Sequence, residues 1–430
     1  MKKLFLAFLA TGIAQLTNFT SGVILARMLE PSMRGEVAQI IAWFGLLGST
    51  LLFGINDSVT YYRSRNQAEG TEALSAALLL SVPLFSMSIL LCLGAILLFF
   101  TKWSAASLAA AWMFLVWPPL YHWQQIFNSW FQAGSNAIVW TAIRVIPPAT
   151  YVGGLALSIY WGAADPVHFL AANLASIAIM LLFSIAIFRL SGDHLKAPSR
   201  AMIARVFRFG FPTVAQRIAS NCRDNLDRIA LPFFVTSAAL GHYVVASSTA
   251  YLIYIAGMTV DLVGFPTMSG AVNDDARRRI AELLISVTFC TLIALVIALT
   301  LICEPVVLIL FGPEYRSAIG LVPWFLVAGA AQALRIVIGG AFKAFNLSHA
   351  MARFEMMGAI IMFVALFGTS TQLGVYAGVL AHLLSALVSL GMAFIKAVTV
   401  LKLSPRHIFL PRRADITRVF RDFRAAFRPR

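Results

Sequence analysis

The sequence predicts an all-α, polytopic membrane protein, and three observations carry that expectation. Hydrophobic residues make up 60% of the chain and charged residues only 12%, with a mean hydropathy of +0.83. No soluble globular domain sustains that balance. Apolar runs of about twenty or more residues recur along the chain, each long enough to cross a hydrocarbon core roughly 30 Å thick. The runs are continuous, unlike the alternating segments of about ten residues that build an outer-membrane barrel.

About twelve spans follow in order, near residues 4–27, 37–62, 73–100, 104–131, 138–161, 167–190, 203–232, 237–265, 281–310, 318–345, 351–370 and 374–400. The first opens with Lys2 and Lys3 before LFLAFLA, like a secretory signal. Its apolar character continues past Gly12 and Gln15 to Leu29, too far for a cleaved segment, so it is read as a span with its N-terminus in the cytoplasm. Loop charges agree. The same side then holds Arg63 and Arg65, the group Arg189 to Arg208, Arg277–Arg279, Arg353 and the C-terminus, whereas the opposite loops hold little beyond Arg27, Arg34, Lys102 and Arg316. Both termini are therefore expected in the cytoplasm. The net charge of +15, from 33 basic and 18 acidic residues, is assigned to these loops, and no nucleic-acid partner is expected. Cys92, Cys222, Cys290 and Cys303 lie in apolar surroundings without metal-ligand or CxxC spacing, and read as buried small hydrophobes.

Span seven is the anomaly. Within it, Gln216–Arg228 reads QRIASNCRDNLDR and carries Arg217, Arg223, Asp224, Asp227 and Arg228. Each charge at a helix centre costs roughly 2.5–3.5 kcal/mol on insertion scales, so five facing lipid would cost on the order of 12–17 kcal/mol. Helical geometry gathers Arg217, Ser220, Asn221, Asp224, Asn225 and Arg228 on one face, flanked by Arg223 and Asp227, with Ile218, Ala219, Cys222, Leu226 and Ile229 opposite. Such a face points at a wet cavity that handles a ligand. Alternatively, Arg223–Asp227 and Asp224–Arg228 neutralise each other at i,i+4.

Other spans carry weaker signals. In span four, Trp117, Tyr121, Gln124 and Asn128 share a face suited to sugars, or to an interfacial aromatic belt, just beyond a Pro118–Pro119 bend. Span five holds Arg144, preceded by Trp140 and followed by Pro147–Pro148; it binds an anion or snorkels to the cytoplasmic end. Span ten holds Arg335 and, near its end, Lys343. Asp57, Asp224, Asp227 and Asp261 are carboxylates in or near spans, available to titrate or bind Na⁺ unless fixed in salt bridges. His122, His168, His242 and His382 share no partner and read as structural. After Lys402, Ile416, Val419/Phe420, Phe423 and Phe427 recur at helical spacing among arginines from Arg406 to Arg430. That pattern describes an amphipathic helix on anionic lipid, or a disordered basic tail.

The longest connection, from Arg189 to about Met202, divides the spans six and six. Gly35 in ARMLEPSMRGEVAQI and Gly241 in LPFFVTSAALGHYVVAS lie 206 positions apart; Phe131, Gln132 and Ala133 precede Phe342, Lys343 and Ala344 by 211. Two landmarks with nearly one offset predict two homologous six-helix lobes related by a parallel repeat, at residues 1–195 and 196–402, followed by a basic tail at 403–430.

ILARMLEPSMRGEVAQI with LLFGINDSVTYY, DNLDRIALPFFVTSAALGHYVVAS and LFGPEYRSA together resemble polysaccharide transporters of the multidrug/oligosaccharidyl-lipid/polysaccharide (MOP) flippase superfamily. The resemblance covers essentially the whole chain, and twelve spans suit its O-antigen-type members. It implies a MATE-like pair of lobes around a central cavity. It further implies a transporter of the bacterial inner membrane that moves an undecaprenyl-diphosphate-linked oligosaccharide by alternating access. Arg217, Arg223, Arg228, Arg144 and Arg335 then become candidates for the diphosphate, because the guanidinium fork donates paired hydrogen bonds. Trp117, Tyr121, Gln124 and Asn128 become candidates for the glycan. Gly241 is expected in a tight turn, and Tyr243 and Tyr315 at the membrane interface. No cofactor is expected beyond coupled H⁺ or Na⁺; the expected partners are the lipid-linked substrate, anionic lipids and the polysaccharide polymerase or export machinery. A cation-coupled multidrug antiporter is the alternative. A membrane polymerase or ligase ranks lower, since the short loops offer no domain for chemistry and no P-loop, HExxH or nucleophile elbow occurs.

Overall fold

The computed structural model describes residues 2–100, 103–134, 137–163, 165–211 and 214–409, and no strand occurs among them. Its helices are α1 (Lys2–Met28), α2 (Pro31–Leu51), α3 (Ile55–Arg65), α4 (Gln67–Phe99), α5 (Ala105–Met113), α6 (Trp117–Ala133), α7 (Ala137–Tyr160), α8 (Pro166–Leu190), α9 (Arg200–Gly210), α10 (Val214–Ala230), α11 (Ser237–Ser269), α12 (Asp274–Leu301), α13 (Cys303–Leu310), α14 (Val322–Ala344), α15 (Ser348–Leu373), α16 (Val375–Thr399) and α17 (Pro405–Phe409). Each expected span coincides with one helix or with consecutive pieces of one. Side-chain caps fix several starts: Asn66, Ser104, Asp165, Ser199 and Asn273 each accept a backbone N–H two or three residues on, satisfying donors that helix ends leave open.

Among the described residues, eight helical stretches are long and apolar enough to cross a membrane unaided, and α2 with α3 forms a ninth bent by 48°. The expected spans one, four and seven are not among these nine; four and seven fall short for local reasons. Span four is divided into α5 and α6 by a 3-10 turn at Phe114–Val116, just ahead of Pro118 and Pro119, which lack the N–H a continuous helix needs. Span seven is divided into α9 and α10, and α10 carries the five charges. The α2–α3 bend occurs where Phe53 and Gly54 adopt left-handed φ values of +50° and +67°.

The helices form two units by packing. The first comprises Met1–Val245, Val307–Arg316 and Ser370–Val375. Leu52, Val59, Trp130, Met180 and Met202 belong to one of its apolar cores, and Val37, Phe44, Phe100, Phe114, Leu155 and Phe169 to another. Gly35 on α2 and Gly241 on α11 lock this unit together. A Cβ at Gly35 would meet the Ser237 carbonyl, and one at Gly241 the Pro31 carbonyl. Gly241 therefore lies inside a helix at a close crossing, not in a turn. Tyr243 and Tyr315 are fully buried rather than interfacial. The Tyr243 hydroxyl donates to Asp227 at 2.7 Å and that of Tyr315 to the Leu29 carbonyl at 3.0 Å, because a buried phenol needs an acceptor.

The second unit comprises Ala246–Val306, Ser317–Thr369 and Tyr376–Arg430. Small residues bring its helices together, as membrane packing favours. Gly257 of α11 lies against Ala333 of α14 and Gly329 against Ala250, while Ser385 and Ser389 of α16 donate to carbonyls of Gly358 and Phe354 on α15. The amphipathic helix expected beyond Lys402 falls largely at 410–430, outside the described residues. Its described start, α17, packs Phe409 against Phe289 and Phe394. The outward side chains are apolar: Leu90, Leu98, Ile138 and Leu182 of the first unit and Val364 of the second are exposed. Cys290 is exposed as well, not buried; Cys92 is buried, and all four cysteines are free.

Candidate functional site

A polar cavity of about 300 Å³ opens inside the first unit. Asn18 of α1, Gln124 and Asn128 of α6, Arg144 and Tyr151 of α7, and Asn173 with Ser176 of α8 supply its polar lining, and no carboxylate lines it. Several groups here lack protein partners: Asn128 Oδ1 and Tyr151 Oη are buried without a hydrogen bond. The Arg144 guanidinium lies 5.0 Å over the Trp140 ring and has no ion pair among the described residues. Pro147 and Pro148 also line the cavity. Having no N–H, they leave the carbonyls one turn back, on Ile143 and Arg144, free to accept. The result is a cation surrounded by amides, hydroxyls and free acceptors, suited to an anionic, hydroxyl-rich ligand.

The charged face of α10 is organised differently. The α2–α3 bend brings Asp57 into the first turn of α3, where Asn56 Nδ2 donates to Asp57 Oδ1 at 3.1 Å and to Ser129 at 3.2 Å. Arg217 donates to Asp57 at 2.6 Å and to Asn56 at 3.1 Å. One turn on, Asn221 donates to Thr50 at 3.1 Å. Arg223 pairs with its neighbour Asp224 at 3.1 Å. Asp227 is 1% exposed and accepts from Tyr243. Arg228 has its Nε buried without a partner. Arg223 and Asp227 of this face are thus buried in protein while Asp224 is exposed, and its first two arginines engage carboxylates.

Of the expected glycan face, Gln124 and Asn128 reach the Arg144 cavity. Trp117 and Tyr121 instead stack on each other at 4.4 Å, with Trp117 against Gly48 and Tyr121 within electrostatic reach of Arg217. In the second unit, Arg335 is 3% exposed and pairs with Glu355 at 2.5 Å. Lys343 pairs with Asp261 at 3.2 Å, and the Asp261 carboxylate is seated over Gly340. Each of Asp57, Asp224, Asp227 and Asp261 therefore has a protein partner. His122 Nε2 donates to the Gly48 carbonyl at 2.9 Å, a structural position.

A model of the family described as polysaccharide biosynthesis protein matches residues 1–272. The chain belongs to that family. A comparison with curated proteins gives no match. Among solved structures, a lipid II flippase MurJ in an inward closed conformation is similar at 14% identity, with a TM-score of 0.74 over 99% of this chain and 94% of that one. An inward-facing multidrug resistance MATE family transporter of the MOP superfamily is similar at 15% identity, with a TM-score of 0.72 over 90% and 95%. An outward-facing structure of a MATE family transporter gives 14%, 0.66, 93% and 95%. At such identities the likeness shows the fold, which is that of MOP superfamily transporters.

This member of the polysaccharide biosynthesis protein family also contains site residues that its sequence pattern concealed. Asn18 and Asn173 are single amides in long apolar runs and show no periodicity. Outside that cavity, Arg34 reads in sequence as a loop charge, but α2 begins at Pro31 and buries it to 7% exposure.

Proposed function

We propose that this protein flips an undecaprenyl-diphosphate-linked oligosaccharide across the bacterial inner membrane by alternating access, coupled to an ion, and that it catalyses no covalent step. One observation carries the choice of substrate: Arg144 lies in an amide-lined cavity that has no carboxylate. A cationic drug would be repelled there, whereas sugar hydroxyls and a phosphate find donors and acceptors together. That weighs against the multidrug antiporter reading. The family and the flippase-like fold support a polysaccharide precursor as cargo. On this reading Gln124 and Asn128 contact glycan, Arg144 an anionic group, and Asp57–Arg217 and Asp261–Lys343 are pairs whose opening would bind or release the coupled ion.

The test is glycan display in cells that depend on this gene. Arg144→Ala and Asn128→Ala should each lower surface polysaccharide at least tenfold with unchanged protein level, and deletion should accumulate lipid-linked repeat units on the cytoplasmic leaflet. Normal display by Arg144→Ala, or accumulation of flipped but unpolymerised units on deletion, would defeat the reading.

A further inference from the structure

In the second unit, α12, α14 and α16 leave a groove of about 240 Å³ between them. Phe289, Leu292 and Ile297 of α12, Val327 and Ala330 of α14 and Leu387 of α16 line it, and every lining side chain is apolar. Ile297, Val327 and Leu387 are exposed whereas Leu292 is buried, so the groove opens outward from the helices. All three belong to stretches long and apolar enough to cross a membrane, and the opening therefore faces hydrocarbon. An apolar concavity left unfilled forfeits van der Waals contacts, and water does not replace them where no polar group lines the wall.

One end of these helices is charged in a way that selects what fills the groove. The start of α12 is tied to the segment after α16: Arg278 Nε donates to the Leu401 carbonyl at 3.0 Å, and the Ser404 N–H donates to Glu282 at 2.8 Å. The acids there are matched, Asp274 with Arg277 at 2.7 Å and Asp275 with Arg278 at 3.0 Å. Arg279, Lys402 and Arg406 are left exposed, with no ion pair among the described residues. At a rise of 1.5 Å per residue, the groove begins at Phe289, about 10 Å along α12 from Glu282, and ends at Ile297, about 22 Å from it. One leaflet of hydrocarbon is about 15 Å deep. The groove thus takes the distal part of a chain whose headgroup lies at the Glu282 end.

The protein's own continuation does not suit this place. α17 sets Phe409 against Phe289, with ring centroids 5.1 Å apart, but residues 410–430 hold seven arginines. A guanidinium among apolar walls would lose its hydration with no partner.

We propose that the groove between α12, α14 and α16 binds one acyl chain of an anionic phospholipid from the leaflet at the Lys402 end, with its headgroup among Arg279, Lys402 and Arg406. The apolar walls hold the chain, and the three cations favour a negative headgroup over a zwitterionic one. The site makes no use of the Arg144 cavity.

The experiment uses the full chain purified in detergent and stripped of lipid. It is loaded with phosphatidylglycerol carrying a diazirine near the end of one acyl chain and photolysed, and the adducts are mapped by mass spectrometry. Affinities for unlabelled lipids come from native mass spectrometry. Adducts should concentrate on residues 289–297, 327–334 and 387–390, and phosphatidylglycerol should bind at least tenfold more tightly than phosphatidylcholine of the same chains. Ala330→Leu, which narrows the groove, should lower these adducts at least fivefold. Arg279→Gln, Lys402→Gln and Arg406→Gln together should abolish the headgroup preference while groove adducts persist at saturating lipid, which shows the fold intact. Adducts spread evenly over the exposed apolar side chains of both units, or equal affinity for the two lipids, overturns the proposal. So does a severalfold rise in groove adducts on truncation after Phe409, which would assign the groove to residues 410–430. Displacement of phosphatidylglycerol by equimolar polyprenyl phosphate overturns it too, assigning the groove to an isoprenoid chain. Glycan display is no part of this readout, so the site can fail while the flippase reading stands.

Discussion

At the scale of single residues, the charges inside this protein divide by partner. Arg335 and Glu355 form a buried pair on α14 and α15, 2.5 Å apart. Removing one member of such a pair strands the other, at a cost of about 3–5 kcal/mol, whereas replacing both by apolar groups is often neutral. Arg335→Met should therefore lower the thermal midpoint of the detergent-purified protein sharply, and Arg335→Met with Glu355→Leu should recover most of it. An additive double mutant would mean that the pair is not a unit. Tyr243 and Asp227 give a second case. Tyr243→Phe deletes the donor to a carboxylate that is 1% exposed and should cost about 1–3 kcal/mol, read in the same melting experiment. The sequence showed that α10's charges must face inward, because lipid could not accept them. It could not show which partner each would take. Asp57 and Tyr243 lie 160 and 16 residues from the side chains they bond, and only the fold brings them there. The i,i+4 pairing expected within α10 was the local alternative; Asp227 bonds Tyr243 across helices as well.

Among the elements, helix existence was legible throughout and helix continuity was not. Hydropathy marks twelve runs, and helices cover most of the described residues of each, though eight helices, or nine with the bent pair, are long and apolar enough to cross a membrane. Breaks arise from backbone chemistry that hydropathy does not weigh. Phe53 and Gly54 turn left-handed between α2 and α3, and that bend is what sets Asp57 before Arg217. Glycine reaches φ near +67° without steric penalty, and a side chain there costs about 1 kcal/mol. Gly54→Ala should thus lower stability modestly while perturbing the Asp57–Arg217 contact. Gly35→Val should do far more, since its side chain would occupy the Ser237 carbonyl. Fluorescence-detected size exclusion should show Gly54→Ala as a monodisperse peak and Gly35→Val as aggregate. A monodisperse, heat-stable Gly35→Val protein would show that the α2–α11 crossing yields. Pattern matching found both Gly35 and Gly241 as repeat landmarks but assigned Gly241 to a turn, because glycine in sequence does not distinguish a turn from a close helix contact.

For the whole molecule, orientation follows from charge, and the structure supplies the places to test it. Arg189, Lys196, Arg200, Arg205 and Arg208 are exposed around the connection from α8 to α9, and a basic, solvated segment resists translocation. Residues Tyr160 to Gly162, at the end of α7, are exposed and carry no charge. Reporter fusions that fluoresce only in the cytoplasm, or hydrolyse phosphate esters only outside it, should therefore give opposite answers at these two points. A fusion after Lys196 should be cytoplasmic, one after Gly162 external, and one after Arg430 cytoplasmic. Swapped answers at Lys196 and Gly162 would invert the protein in the membrane. An external answer at Arg430 alone would instead require an odd number of spans beyond α9, and with it the loss of the six-plus-six repeat that the Gly35–Gly241 and Phe131–Phe342 offsets imply. An even count in each half is what a parallel repeat demands, so the C-terminal fusion tests the architecture of the protein and not merely its direction.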